Sequence, residues 1–413
     1  MAPRNGDEEQ QSGAAAGSEE KLLLLVHFEE LKDPRRHQHK VVYPLRLLLL
    51  IVFGGVLSGF KSWEEFADFA EEKRLWLKEL VPYEGEETPC ADTLERVFER
   101  LEASTFKACL EKWARALAEQ LRSGAQQSEG GKQEEPRQLA MDGKSLAGAH
   151  MPGEPTSPLH LLHVYWVEER LLLGMQRTTK GATGEPAAAL ELLEVLEVRQ
   201  AVITADANLM TKAVADSIVQ REGHYLLALK GNRGPQRDEV RELIKQRLGE
   251  VGQSAPQRAP SAHSVQEHGH GRHDQRRAWA FTAHDFPTLM RYLPHAQSVL
   301  CLERLREVPG KKSSLERHFY VSDLPPEAAS LASRVRAHWE VENQLHRTLD
   351  VLLHEDSVQV HPGPAALNLA VVRRFAEVVL RRDTLRKGSM ASKMRHAVLN
   401  DSYRAHLLTL EIS

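Results

Sequence analysis

Cysteine is scarce: Cys90, Cys109 and Cys301 are the only three in 413 residues, and no two form a Cys-x-x-Cys pair. Neither a disulfide framework nor zinc-ligand spacing is present, and a reducing interior is the expected setting. Long apolar runs are missing as well. The most apolar stretch, Leu47 to Phe60, is short for a membrane span and carries Gly54, Gly55, Ser58 and Gly59, so a buried helix is expected there. The acidic segment from Met1 to Glu20 has no apolar core of a secretory signal and reads as a solvated tail. Excess positive charge is absent too, since 54 Lys and Arg face 58 Asp and Glu for a formal net charge of −4. Charge alone therefore does not point to nucleic acid, whose phosphates normally dominate binding. No internal repeat is visible.

What is present suits a folded chain of two or three domains, with 41% hydrophobic and 27% charged residues. Leu22 to Leu121 alternates apolar and charged residues at helical spacing, as in Trp63-Glu-Glu-Phe66 and Leu94-Glu-Arg-Val-Phe98, which predicts an all-helical domain. Ser123 to Pro136 is rich in Gly, Gln and Glu without periodicity and reads as a linker. From Gln138 the texture becomes β-rich. Gln138 to Asp142, Leu159 to Val167 and Arg170 to Thr178 predict three strands, then Ala187 to Leu196 a helix, and Ala201 to Asp206 a strand. Lys212 to Glu222 predicts a helix and His224 to Lys230 a fifth strand, so the order is β-β-β-α-β-α-β.

A charged helix is expected over Gln236 to Gln253, followed by a Ser/His/Gly-rich loop, Ser254 to Arg272. Strands at Arg277 to Ala283, Ser298 to Glu303 and Arg317 to Val321 then suggest a β-rich insertion. A long helix is expected over Ala332 to His354 and a last one over Ala366 to Arg381. His263, His268, His270 and His273 crowd the insertion loop, yet without cysteine such density reads as a polar segment rather than a zinc site.

Carboxylates stand at telling places in this order. Asp142 closes the first predicted strand and Asp206 the fourth; singly, such an Asp is more often a turn former or helix cap than a ligand. Two carboxylates at neighbouring strand ends repel unless a divalent cation neutralises them. Glu342 shares a helical face with His338 and His346, flanked by Leu345 and Leu349; an ordinary charged helix face is the competing interpretation. Together with the strand order, the three positions form a ribonuclease-H-like pattern. Asp142-Gly-Lys-Ser145 looks like the end of a P-loop, but Gln138 stands where that loop needs glycine.

The chain resembles the bacterial insertion-sequence transposases known as H-repeat-associated proteins, a DDE family, from about Phe28 to Phe375. The resemblance is carried by Asp33-Pro-Arg35, Ser62-Trp-Glu-Glu-Phe66 and Asp92-Thr-Leu-Glu-Arg96 in the helical region. Beyond it stand Met141-Asp142-Gly143-Lys144, Thr204-Ala-Asp206-Ala207, Leu227-Ala-Leu-Lys230-Gly-Asn232 and His270-Gly-Arg272. The last markers are His338-Trp339, Glu342-Asn343, Leu345-His346 and Leu349-Asp350-Val351. A related group carries Tyr, Arg, Glu and Lys around the glutamate; at that spacing Val335, His338, Glu342 and Leu349 stand here, so only Glu matches.

The resemblance implies that Asp142, Asp206 and Glu342 are a catalytic triad holding Mg²⁺ or Mn²⁺. It also implies double-stranded DNA as partner, both the terminal inverted repeats of an element and its target, with a homo-oligomer assembled on DNA and no membrane. A bacterial cytoplasmic, nucleoid-associated setting goes with it. Candidate DNA contacts are Lys144, Lys230, Asn232, Arg233, Arg272, Arg336, His338 and His346. The expected fold class is α/β: a ribonuclease-H-like mixed sheet flanked by helices, with a β-rich insertion and a preceding all-helical domain. Its expected layout is a tail over 1–20, helices over 21–122, a linker over 123–136, a catalytic domain over 137–383 with the insertion at about 254–323, and a C-terminal tail or helix over 384–413. A ribonuclease-H-like nuclease that does not join strands, and an inactive element-derived DNA-binding protein, remain alternatives.

Overall fold

The structure, a computed structural model, describes residues 27–128, 136–149, 158–178, 184–249, 261–269, 272–307, 314–357 and 360–409. The chain divides into two compact units, Met1–Leu110 with Leu367–Ser413, and Glu111–Ala366. Among the described residues, no helix is long and apolar enough to cross a membrane.

The first unit is helical. Its central helix, Leu45–Leu57, is buried at every position from Leu47 to Leu57, as expected of a helix apolar all round. The next helix, Trp63–Glu72, starts at Ser62, whose side chain accepts a hydrogen bond from Glu65 N while the Glu65 carboxylate accepts one from Lys61 N. These two contacts satisfy donors that the first helical turn leaves open. Its amphipathic pattern turns Trp63, Phe66, Phe69 and Ala70 inward. Gly55 is where the two helices meet: a Cβ there would stand 2.6 Å from Cδ1 of the fully buried Phe66 ring. Alanine adds up to about 1 kcal/mol of helix propensity, but overpacking costs about 1–3 kcal/mol. Gly55→Ala is therefore expected to lower stability by up to about 2 kcal/mol, read as a lower denaturant midpoint.

The C-terminal helices belong to this unit, whereas the sequence places Ala366 to Arg381 in the second domain. The reason is visible in the helix Pro364–Arg382. Asn368 Nδ2 donates to the carbonyls of Phe98 and Leu101, which end the helix Ala91–Arg100, and Phe375 packs its ring against Phe53 at 5.2 Å. Two further helices, Met390–Leu399 and Asp401–Thr409, occupy the expected tail. The expected linker also begins later, because the helix Ala103–Ser128 continues through its first six residues.

The second unit is built on one nine-stranded sheet, with strand order β3-β2-β1-β4-β5-β9-β8-β7-β6. The strands are β1 (Gln138–Leu146), β2 (Leu159–Trp166), β3 (Leu171–Arg177), β4 (Val202–Ala205) and β5 (His224–Leu229), then β6 (Ser261–Gly269), β7 (Arg272–Thr282), β8 (Ser298–Glu307) and β9 (Ser314–Ser322). β1, β4 and β5 run parallel, and all other neighbours are antiparallel. β4 is buried at all four positions, the continuous apolar texture of a parallel strand covered on both faces. The helices Gly184–Val195 and Lys212–Gln220 make the crossovers, and Ala328–His338 buries Leu331 and Val335 against Val202, Leu226, Ala280 and Leu300. The architecture is α/β with the ribonuclease-H-like order β-β-β-α-β-α-β at its centre.

The strands of the insertion extend the central sheet through the β5–β9 pairing of Leu227 with Val321. One expectation about the insertion is corrected. Ser261–Gly269, expected within a loop, is the strand β6, held by β7 through the register His263↔Ala278 and His268↔His273. His263, Ser264, Val265 and Gln266 are all exposed on this edge strand, so backbone pairing sustains it and no apolar alternation marks it. The side chains of His268 and His273, and all of His270, lie outside the described residues.

Candidate carboxylate site

Asp142 lies in the middle of β1, not at its end, because β1 stays paired with β2 as far as Leu146↔Leu159. Asp206 directly follows β4, whose Ala205 pairs with Met141, so adjacent parallel strands bring the two aspartates to one place. Glu342 is exposed, in a π-helical turn, Val341–His346. The single helix expected from Ala332 to His354 is in fact three pieces: an α-helix to His338, the π turn, and a short α-helix Arg347–Val351. A π turn carries an extra residue, which shifts the side chains beyond it around the axis.

Burial pushes the Asp142 acid up to about 7, and the charges of Glu342, Asp206 and Glu185 add to the rise. Four carboxylates thus feel one another here. As they stand, no group of three or more His, Cys, Asp or Glu side chains among the described residues is close enough to hold a metal ion. Asp142, Glu185, Asp206 and Asn208 instead wall a cavity of about 150 Å³, with Leu162 and Leu209.

The predicted cations and histidines part company around this cavity. Lys230 Nζ bridges both Asp206 oxygens, at 2.7 and 3.0 Å. His346 Nδ1 lies 3.6 Å from Asp142 Oδ2, and its Nε2 lies 3.3 Å from Nδ1 of the fully buried His163. His338 sits behind the site, with Nδ1 3.0 Å from Thr204 Oγ1; Gln138 Nε2 donates to that same hydroxyl at 3.1 Å and to the Arg334 carbonyl at 2.8 Å. The Thr204 hydroxyl thus joins Gln138 to His338, with the direction of the His338 bond set by the ring tautomer. Lys144, expected to meet DNA, is buried and committed to Asp350 at 2.6 Å and Asp356 at 3.2 Å. Arg233 donates to the Met210 carbonyl and lies over the Tyr292 ring. Arg336 is exposed. The side chains of Asn232, in the turn Gly231–Arg233, and Arg272, at the start of β7, lie outside the described residues.

Glu185, His160 and His163 escaped the sequence reading. Glu185 enters at the first turn of Gly184–Val195 and meets His160 Nε2 at 2.9 Å, which binds Ser145 Oγ through Nδ1 at 3.0 Å. The signal was in the β1–β2 hairpin, whose register sets Asp142 opposite His163 and Ser145 opposite His160.

Two buried groups give opposite pH effects. Burial lowers His338 from 6.5 to about 4, so the unfolded chain binds its proton first and stability falls as pH drops from 6.5 towards 4. Asp142 is raised from 3.8 to about 7, so the folded chain binds that proton first and stability rises as pH drops from 7 towards 4. The two slopes offset each other. Asp142→Asn should expose the acid loss, and His338→Gln the acid gain, in denaturant unfolding between pH 7 and 4.

Comparison with known proteins shows the family. The family "Transposase DDE domain" matches residues 133–373, and "DDE_Tnp_1-associated" matches residues 25–114. The "H repeat-associated putative transposase YhhI" of Escherichia coli K12 is 27% identical over 90% of this chain and 94% of its own length. An "Uncharacterized protein in dhlA 3'region" of Xanthobacter autotrophicus is 32% identical over 71% of this chain and 92% of its own length. The synaptic complex of piggyBac transposase with hairpin DNA matches at a TM-score of 0.42 and 11% identity, over 95% of this chain and 77% of that one, too distant to carry an argument. With more than half of its length inside the matched domain, the chain belongs to the DDE transposase family.

Proposed function

We propose that the protein cleaves DNA at the ends of an insertion element and joins the freed 3′-hydroxyls to target DNA, using Asp142, Asp206 and Glu342. The observation that carries this reading is the crowding of carboxylates where β1 and β4 pair: Asp142 and Asp206 wall one cavity, together with Glu185. Such crowding is costly without a cation, and an all-oxygen donor set suits Mg²⁺ or Mn²⁺. Asp142, Asp206 and Glu342 would hold the ions once their side chains converge further than in the arrangement described. When bound, the ions lower the pKa of the attacking hydroxyl and stabilise the leaving oxygen.

The surrounding residues orient that set. The chain Gln138–Thr204–His338 ties β1 and β4 to the end of the helix that leads into Glu342. His346 and His163 back Asp142 from the π turn and from β2. Lys230 neutralises Asp206 in the absence of other cations, and its exposed ammonium is a ready partner for a DNA phosphate. Arg336, exposed one turn before the site, has the same chemistry.

The test uses purified protein with an element-end duplex and a supercoiled target plasmid, in Mg²⁺, Mn²⁺ and chelator. Metal-dependent nicking and joined products are expected. Cutting without joining would identify a nuclease instead, DNA binding with neither an inactive descendant, and full turnover in chelator would end the reading.

A further inference from the structure

Glu185 has no role in the triad, yet it walls the same cavity as Asp142 and Asp206, while Glu342 is not among the lining residues. We propose that Glu185 is a fourth oxygen donor at this centre, and that His160 and Ser145 are the residues that position it. The inference rests on the reading that Asp142, Asp206 and Glu342 take divalent cations.

Its first support is the way the carboxylate is held. Its partners are the His160 ring, with Nε2 2.9 Å from Oε1, and the Asn208 amide. The Ser145 hydroxyl can donate to His160 Nδ1 at 3.0 Å, which leaves the Nε2 proton to be donated to Glu185. Among the described residues no Lys or Arg pairs with Glu185, in contrast to Asp206, which Lys230 bridges. A histidine ring and an amide thus orient Glu185 in the cavity wall beside two other carboxylates, which is the manner in which a protein seats a ligand oxygen.

The second support is Gly143, the residue after Asp142 on β1. A Cβ there would collide with His160 Nε2 and press on Glu185 Oε1 at 3.0 Å. The bare backbone lets the histidine–glutamate pair close over the strand beside Asp142; any larger residue would push Glu185 off the cavity. Asn208 adds a third tie, because it sits in the turn Ala207–Leu209 directly after Asp206 and so couples Glu185 to that aspartate's loop.

Mn²⁺ binding to the full, DNA-free chain tests this, read from the electron paramagnetic resonance signal of the free ion. Glu185→Gln should weaken Mn²⁺ binding by about 10–100-fold, and His160→Ala by about tenfold, the range found for ligand-orienting partners. His160→Gln, whose amide can donate from nearly the position of Nε2, should recover most of the affinity. Melting temperatures without metal identify any variant that merely misfolds, and the His160→Ala and His160→Gln pair then decides the positioning role. If Asp142→Asn loses Mn²⁺ while Glu185→Gln binds like wild type, the inference fails and the triad reading stands. If Glu185→Gln weakens binding but His160→Ala does not, the positioning role fails. If wild type does not bind Mn²⁺, or Asp142→Asn binds it equally well, the triad reading fails and carries this inference with it.

Discussion

Asp206→Asn is expected to lower DNA-end cleavage by about a thousandfold or more while leaving DNA binding within a few-fold of wild type. The size follows from what such a group does: losing a single fixed contributor to transition-state charge stabilisation already costs about 10²–10³ in rate, and a metal ligand contributes also to the nucleophile. Asp206 suits the test better than Asp142 because its side chain is 44% exposed and its ion-pair partner among the described residues, Lys230, is itself 59% exposed. Neither group is left stranded in an apolar interior by the change. A gel assay of nicked element ends, run beside a mobility-shift titration on the same duplex, separates chemistry from binding. Wild-type cleavage by Asp206→Asn would remove this carboxylate from the chemistry.

The largest stability effect is expected far from the carboxylates, in the extended part of the sheet. Glu303 on β8 is 1% exposed and lies in one cross-strand row between Arg277 on β7 and Arg317 on β9. Its two oxygens divide between the guanidinium groups: Oε1 meets Arg277, and Oε2 meets Arg317 at 2.9 Å. Glu303→Ala leaves two cations side by side, the Arg317 side chain only 8% exposed. Breaking a buried pair in this way costs about 3–5 kcal/mol, which a urea titration of the sheet-containing unit would show as a lower midpoint with little change in slope. Replacing all three residues by leucine should recover much of that loss, because apolar packing substitutes for a buried ion group without the desolvation cost. An unchanged midpoint for Glu303→Ala would show that the row contributes specificity only.

The β-β-β-α-β-α-β order was legible because its strands are dense apolar runs and its helices have clear periodicity. β4, buried at all four positions, is the plainest case. Elements held by long-range pairing were not legible. β6 looks like a loop in isolation because both of its faces are polar; β7 supplies its hydrogen bonds. Asp142 reads as a strand end because Gly143 looks like a loop residue, yet β1 runs on through Lys144, which is buried by Asp350 and Asp356, more than two hundred positions away. That same lysine shows why a positive charge beside a key aspartate is weak evidence of a phosphate contact. Glu185 and His160 were missed for a related reason: their partnership exists only once the β1–β2 register and the crossover helix are in place. The Asn368 contacts that draw the last helices towards the first ones are equally invisible to local pattern.

The π turn at Val341–His346 makes the spacing of this stretch unforgiving. The turn closes on i+5 rather than i+4 and so already takes up one residue more than a regular turn; inserting a further residue would swing everything after it by about 100°. Leu349, now fully buried, and His346, now against Asp142, would both rotate away from their seats. Natural variants of this protein should therefore vary here in type only at exposed positions such as Asn343, and almost never in number, while length changes collect in the connections between strands.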